Sequence, residues 1–350
     1  MVQVLEKQYY KTVSIRESKD IREIREALDE ILYVPDEQLK PKVIEELCNY
    51  LQTKFSNPDY KLKVFIAYDG YEIYGFVTVQ IDPYYSSYSR KCGTFGWLYA
   101  ATIDVCRELI RQCEKFIKEN KIRKLRGPIN FPKNLGGIGI QCSGFQEQML
   151  YGVSFSDPTS NILEYLNSLG YKNESEYSCV YVAQKIWNKG KKIDKDITFR
   201  FFSLKELYDY AKEIQNLANN SFHDILPDSS GRNRIYEFFE AFSKIPKSFY
   251  KVPTFNPLEY SEIPQFIEVW ETHDLNKTEP YAPMAFDKHK GELVGILLGL
   301  PDLYESWIGN LITRCNVDTA MVKKEYYGKG IFSALNNLGQ LNCSFYGVTY

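Results

Sequence analysis

The sequence predicts a mixed α/β protein built from two tandem copies of one unit, and three observations carry that expectation. The length of 350 residues, at ~150 residues per domain, leaves room for two cores. Val64–Asp82 reads as two apolar runs around an Asp-Gly turn, the pattern of a β-hairpin. Met284–Pro301 repeats it, with Ala67 aligned to Ala285 and Glu72 to Glu292 around a longer second turn. What precedes each hairpin also recurs, a short strand and then helix, which makes duplication a better account than chance.

Taken in order, Lys11–Arg16 is the first strand. A helix after Ser18 gathers Ile21, Ile24, Leu28 and Ile31 on one face. Beyond the first hairpin, Thr94–Ala100 is expected as a strand. Ile103–Asn120 is an amphipathic helix with Ile103, Cys106, Ile110, Cys113 and Ile117 on one side. Lys124–Asn130 reads as a strand entering the glycine-rich Leu135–Gly144. Ser160–Leu169 is a helix stopped by Gly170, and Cys179–Val182 is a last strand. The first unit is thus residues 1–187, and the charged stretch 188–196 is the linker. Residues 197–350 form the second unit. It opens on a strand, Ile197–Phe202, and a capping box, Ser203 with Glu206. It continues through the second hairpin, a strand at Val317–Lys323, a turn at Tyr327–Ile331 and a helix.

Composition removes several classes of function. Lys+Arg 43 against Asp+Glu 45 leaves a net charge of -2, too balanced for the basic field that nonspecific nucleic-acid binding needs. Three histidines and eight scattered cysteines without a C-x-x-C pair give no metal-ligand pattern, and the cysteines read as small buried apolar residues. The N-terminus lacks a secretory apolar core, and the longest apolar run, Leu293–Leu300, is far short of the ~20 residues that span a bilayer. The expectation is a cytoplasmic protein with no metal, nucleic-acid or membrane partner.

The chemistry-bearing pattern is Val322–Ile331. A strand that feeds a Gly-x-Gly turn at a helix start converges unpaired amides and a helix dipole on one point, an anion site suited to a pyrophosphate. Glycines at 328 and 330 let the phosphate approach the backbone. An ordinary strand-to-helix turn is the competing reading.

The order strand, helices, glycine-bearing hairpin, strand, Gly-x-Gly turn and helix resembles the GNAT acyltransferase superfamily, with Glu325-Tyr-Tyr-Gly328-Lys-Gly330 standing at its phosphate-binding turn. Arg126–Asn134, Gly139-Ile140, Gly144-Phe145 and Leu169-Gly-Tyr171 resemble the N-terminal half of its tandem-domain members. The resemblance implies acetyl-CoA or another acyl-CoA as donor, held by Val322, Lys323, Gly328, Lys329, Gly330 and Ile331. Its thioester would be attacked by a small-molecule or peptide amine. It also points to Arg126, Asn130 and Asn134 near the acceptor; a solvated face, a loop cap and a turn are the competing structural readings. Asp318 is a candidate base by position, and Tyr165 lies one residue from Leu166, which stands where the usual acid tyrosine would be. Ala100-Ala-Thr102 replaces the phosphate turn in the first half, and the second half ends before the elements that complete the fold. The expected function is an acyl-CoA-dependent N-acyltransferase. The alternatives are a non-catalytic acyl-CoA-binding or scaffold protein and an aminoacyl or long-chain acyl transferase.

Overall fold

The computed structural model describes residues 13–83, 85–87, 90–182, 192–221, 234–245, 268, 269, 271 and 277–348. His223, His273 and the first part of the expected linker, 188–191, lie outside them.

The first half alternates strands and helices as its sequence pattern requires. β1 (Ser14–Ser18) leads into α1 (Ile21–Ile31). Asp20 caps that helix by accepting from the Arg22 amide at 2.8 Å. α2 (Lys40–Phe55) and the hairpin of β2 (Lys61–Asp69) and β3 (Glu72–Ile81) follow. A small ladder of β4 (Ser86–Ser87) and β5 (Arg90–Lys91) precedes β6 (Gly93–Ala100), α3 (Ile103–Glu119) and β7 (Leu125–Arg126). Two short helices close this half, α4 (Lys133–Gly136) and α5 (Ile162–Ser168). The sheet order is β1-β2-β3-β6-β7, antiparallel except for the β6–β7 pair.

Side-chain alternation divides this sheet between two cores. Val64 and Ile66 face α1 and α2, while Phe65 and Ala67 face α3. Cys106 and Cys113 are buried on the α3 face, as their helical spacing implies.

The second half repeats the scheme with β8 (Ile197–Arg200), α6 (Leu204–Asp209), α7 (Ala211–Ser221), α8 (Arg234–Ser243), β9 (Met284–Asp287), β10 (Leu293–Pro301), α9 (Leu303–Trp307), β11 (Cys315–Val322) and α10 (Ile331–Phe345). Ser203 and Glu206 form the expected capping box on α6. The described strands make an antiparallel sheet of order β11-β10-β9-β8. β10 is buried along its whole length because α7 and α8 cover one face and α10 the other.

The aligned hairpins are the same object. Ala67 pairs with Gly75 and Ala285 with Gly295, each next to a register shift. A Cβ on Gly75 would lie 2.8 Å from Val105 and Leu109 of α3, and one on Gly295 would lie 3.0 Å from Ile331 and 3.2 Å from Leu335 of α10. In both halves a strand glycine lets the helix after the turn sit directly on the hairpin.

The faces carrying α1, α2, α7 and α8 share one core, in which Ile24, Leu28 and Ile66 cluster with Ile214, Phe238 and Ile296. The halves are therefore joined through buried apolar surface, the main favourable contribution to burial. Two expected strands differ from the structure. Lys124–Asn130 is a strand only at Leu125–Arg126, because Pro128 has no amide to continue the ladder and Ile129 forms an isolated bridge to Ile138. Cys179–Val182 forms no strand: β7 is too short to offer it a ladder, and Val180 and Tyr181 stay exposed.

Candidate active site

The two strand-to-helix turns occupy matching positions but are built differently. In the first half only Ala101 and Thr102 separate β6 from α3. The Thr102 hydroxyl accepts from the Val105 amide at 3.3 Å, and the Ala101 amide donates to Tyr74 O at 2.9 Å. That turn therefore commits the Ala101 and Val105 amides to partners within the protein. In the second half Lys323–Gly330 intervenes, and α10 starts at Ile331 with Gly330 in the N-cap position and no side-chain cap. Gly328 and Gly330 have φ of +80° and +81°, a left-handed backbone that L side chains adopt only at a cost.

Charged side chains surround this longer turn. Tyr326 donates its hydroxyl to Asp287 Oδ2 at 2.7 Å, and Lys290 Nζ donates to Tyr326 Oη at 3.3 Å. The Tyr326 hydrogen bond, with the Lys290 and His289 amides, holds the Asp287 carboxyl down at about 2. Asp287 belongs to the aligned hairpin, so the second β-turn braces the glycine turn. Val322 ends β11 opposite Gly295, and the Lys323 amide donates to Val294 O at 2.8 Å. Lys323 Nζ pairs with Glu292, and Lys329 Nζ lies 2.9 Å from Asp194 Oδ2. Ile331 is buried above Gly295.

Between the halves lies a cavity of about 1780 Å³, above the 300–1,000 Å³ range usual for small-ligand sites. Among the described strands β11 is the outer one of its sheet, and it lines the cavity through Asn316, Val317, Asp318 and Thr319, with Asp318 half-buried. The chain around β7, the glycine-rich stretch from Ile138 to Ser156, the segment after α5, and Gln215 and Phe238 of α7 and α8 contribute further walls. On α5, Leu166 lines the cavity, whereas Tyr165 is partly buried against the α3 core.

The polar candidates of the first half are brought to one region in separate roles. Arg126 is nearly buried at the cavity wall, pairs with Glu174 and donates to Tyr85 Oη at 2.8 Å. Burial pushes the Tyr85 hydroxyl up, against the pull of Arg126. Asn130 Oδ1 accepts from the Trp97 amide at 2.7 Å, and its Nδ2 donates to Gly136 O at 3.1 Å. Trp97, at φ +48°, also donates its indole N–H to Phe131 O at 2.7 Å. Together they fill the gap between β6 and the chain after β7. Asn134 Nδ2 donates to Glu237 O of α8 at 3.1 Å, across the two halves.

Sequence reasoning missed the polar joint beside the cavity. Asp302, fully buried, accepts from the Tyr151 and Tyr304 amides, each at 3.2 Å, and pairs with Arg314. Arg314 Nη2 also donates to Met149 O at 2.7 Å. Asp302 caps α9 through the Tyr304 amide, a local signal; its bonds to Tyr151 and Arg314 join residues too distant in sequence for a local pattern to reveal. Among the described residues no group of three potential metal ligands occurs, and no helix is long and apolar enough to cross a membrane.

No family model and no curated protein matches the chain by sequence. Solved structures do match. A tandem GNAT protein from the clavulanic acid biosynthesis pathway, without AcCoA, superposes with a TM-score of 0.50 at 11% identity, over 96% of this chain and 88% of that one. A GCN5-related glucosamine N-acetyltransferase region of a fungal multi-domain GH3 β-N-acetylglucosaminidase gives 0.50 at 13% identity, over 97% of this chain and 35% of that one. Two sheets built on one hairpin design, each followed by a helix packed on a strand glycine, account for that full-length likeness: the chain has the tandem GNAT fold.

Proposed function

We propose that the protein is an acyl-CoA-dependent N-acyltransferase whose second half holds the donor and whose acceptor is an amine in the cavity between the halves. The observation that carries this reading is the Lys323–Gly330 turn, which has two left-handed glycines, starts an uncapped 15-residue helix and directly follows the strand that lines the cavity. A pyrophosphate there would meet the helix's amino-terminal dipole, and the pantetheine would run along β11 toward Asp318. Acetyl-CoA is the first candidate donor. The amine nitrogen attacks the thioester carbonyl, an amide forms, the C–S bond breaks, and the amine's proton must leave as the thiolate gains one. Asp318, half-buried on β11, is the proposed proton acceptor. Holding both substrates in one cavity would supply much of the acceleration.

The closed turn at Thr102 and the Asn130–Trp97 plug support a non-catalytic role for the first half, as a wall of the acceptor site. Calorimetric titration with acetyl-CoA tests the donor assignment. The intact protein should bind, and Gly328→Glu, which places a carboxylate and a strained side chain in the turn, should bind at least about tenfold more weakly. Absence of binding by well-folded intact protein would remove the donor assignment.

A further inference from the structure

The residues just ahead of β8 do not run free of the glycine turn; they lie across one side of it. The Asp194 amide donates to Lys329 O at 3.2 Å, and the Asp194 carboxylate meets the Lys329 ammonium at 2.9 Å. A Cβ on Gly330 would come within 2.9 Å of Lys192 O and 3.4 Å of Ile193 Cα, whereas one on Gly328 would meet nothing within 4 Å. The turn thus has a covered side at Gly330 and an open side at Gly328. The covering segment has its own internal order, since the Asp196 amide donates to Asp194 Oδ1 at 3.0 Å and the Ile197 amide to Asp194 O at 3.1 Å. It is also tied to the hairpin turn through the Lys288 amide, which donates to Asp196 O at 2.8 Å, and through His289, 3.2 Å from Asp196.

A carboxylate on a lysine beside a helix start makes the same kind of contact that a phosphate oxygen would make there. We propose that residues 192–196 are an internal strap on the anion turn, in which Asp194 holds Lys329 until a phosphate group of the donor takes that lysine over. This inference rests on the donor reading above. It makes the chain leading into β8 responsive to donor occupancy, because the strap must yield Lys329 as the donor arrives. Lys329 and Asp194 are both partly exposed, so their pair contributes only a factor of about two to five to the competition.

Calorimetry with coenzyme A on the intact protein, Asp194→Asn, Lys329→Ala and the double variant tests the strap. Asn at 194 keeps the acceptor for the Asp196 amide and removes only the charge; thermal melts verify that each variant is folded. Asp194→Asn should tighten coenzyme A binding about two- to fivefold, and Lys329→Ala should weaken it. On the Lys329→Ala background the Asp194→Asn gain should vanish, since the two residues act through one contact. Intact protein that binds, with no gain in Asp194→Asn or a gain that survives without Lys329, overturns the strap and leaves the donor site standing. Lack of binding by all four folded proteins overturns both.

Discussion

Asp302 has no solvent contact, yet it sits where the halves meet, facing Arg314, Glu305, Cys315 and the Tyr151 and Tyr304 amides. Burial raises its carboxyl to about 6, with Arg314 pulling down and Glu305 pushing up. A folded value above the ordinary one near 3.9 means that the native state binds the extra proton. This group's contribution to stability is therefore greatest at low pH and is lost as pH rises through ~4 to 6. Asp302→Asn keeps an acceptor for both amides and removes the titration. Its stability relative to the parent, from urea unfolding, should shift in the variant's favour by about 2 kcal/mol between pH 4 and pH 7; a constant difference would refute the assignment.

At the scale of elements, the glycine under each post-turn helix is the feature that both halves keep. A Cβ on Gly75 would lie 2.7 Å from Tyr99 O, a backbone atom, whereas Gly295 faces chiefly the side chains of Ile331 and Leu335. Side chains can shift where a backbone carbonyl cannot. Gly75→Ala should cost about 1–3 kcal/mol in denaturant unfolding and Gly295→Ala less. Gly295→Ala should instead weaken acetyl-CoA binding, by displacing the start of α10. The hairpins were legible in the sequence because alternation and an Asp-Gly turn are local. The strand expected at Cys179–Val182 is absent, because a strand also needs a partner edge and β7 ends after Arg126. Arg126, Asn130 and Asn134 were legible as a polar group worth attention, but their bonds to Glu174, Trp97 and Glu237 cross wide sequence gaps.

For the whole molecule, the shared core predicts that the halves unfold together. Tyr304 donates its hydroxyl to Leu135 O at 2.7 Å and packs edge-on against Tyr151 and Trp307, each with ring centroids 5.4 Å away. Tyr304→Phe would leave a buried carbonyl without that donor, costing about 1–3 kcal/mol. Scanning calorimetry should give one transition for parent and variant alike, displaced to lower temperature in the variant. Two resolved transitions would mean that the common core does not couple the halves.

By itself the sequence determined the paired hairpins, the amphipathic α3 and the position of the glycine turn, because each is set by residues within a few places of one another, and the duplicated α/β unit, because those local patterns recur in the same order. Tertiary structure decided what the turn faces, which candidates line the cavity and which are spent on internal bonds. It also brought Asp194 to Lys329 and Asp302 to Tyr151. Those outcomes depend on how two sheets share one core, and packing across that core brings together residues whose separation in the chain leaves no periodic trace.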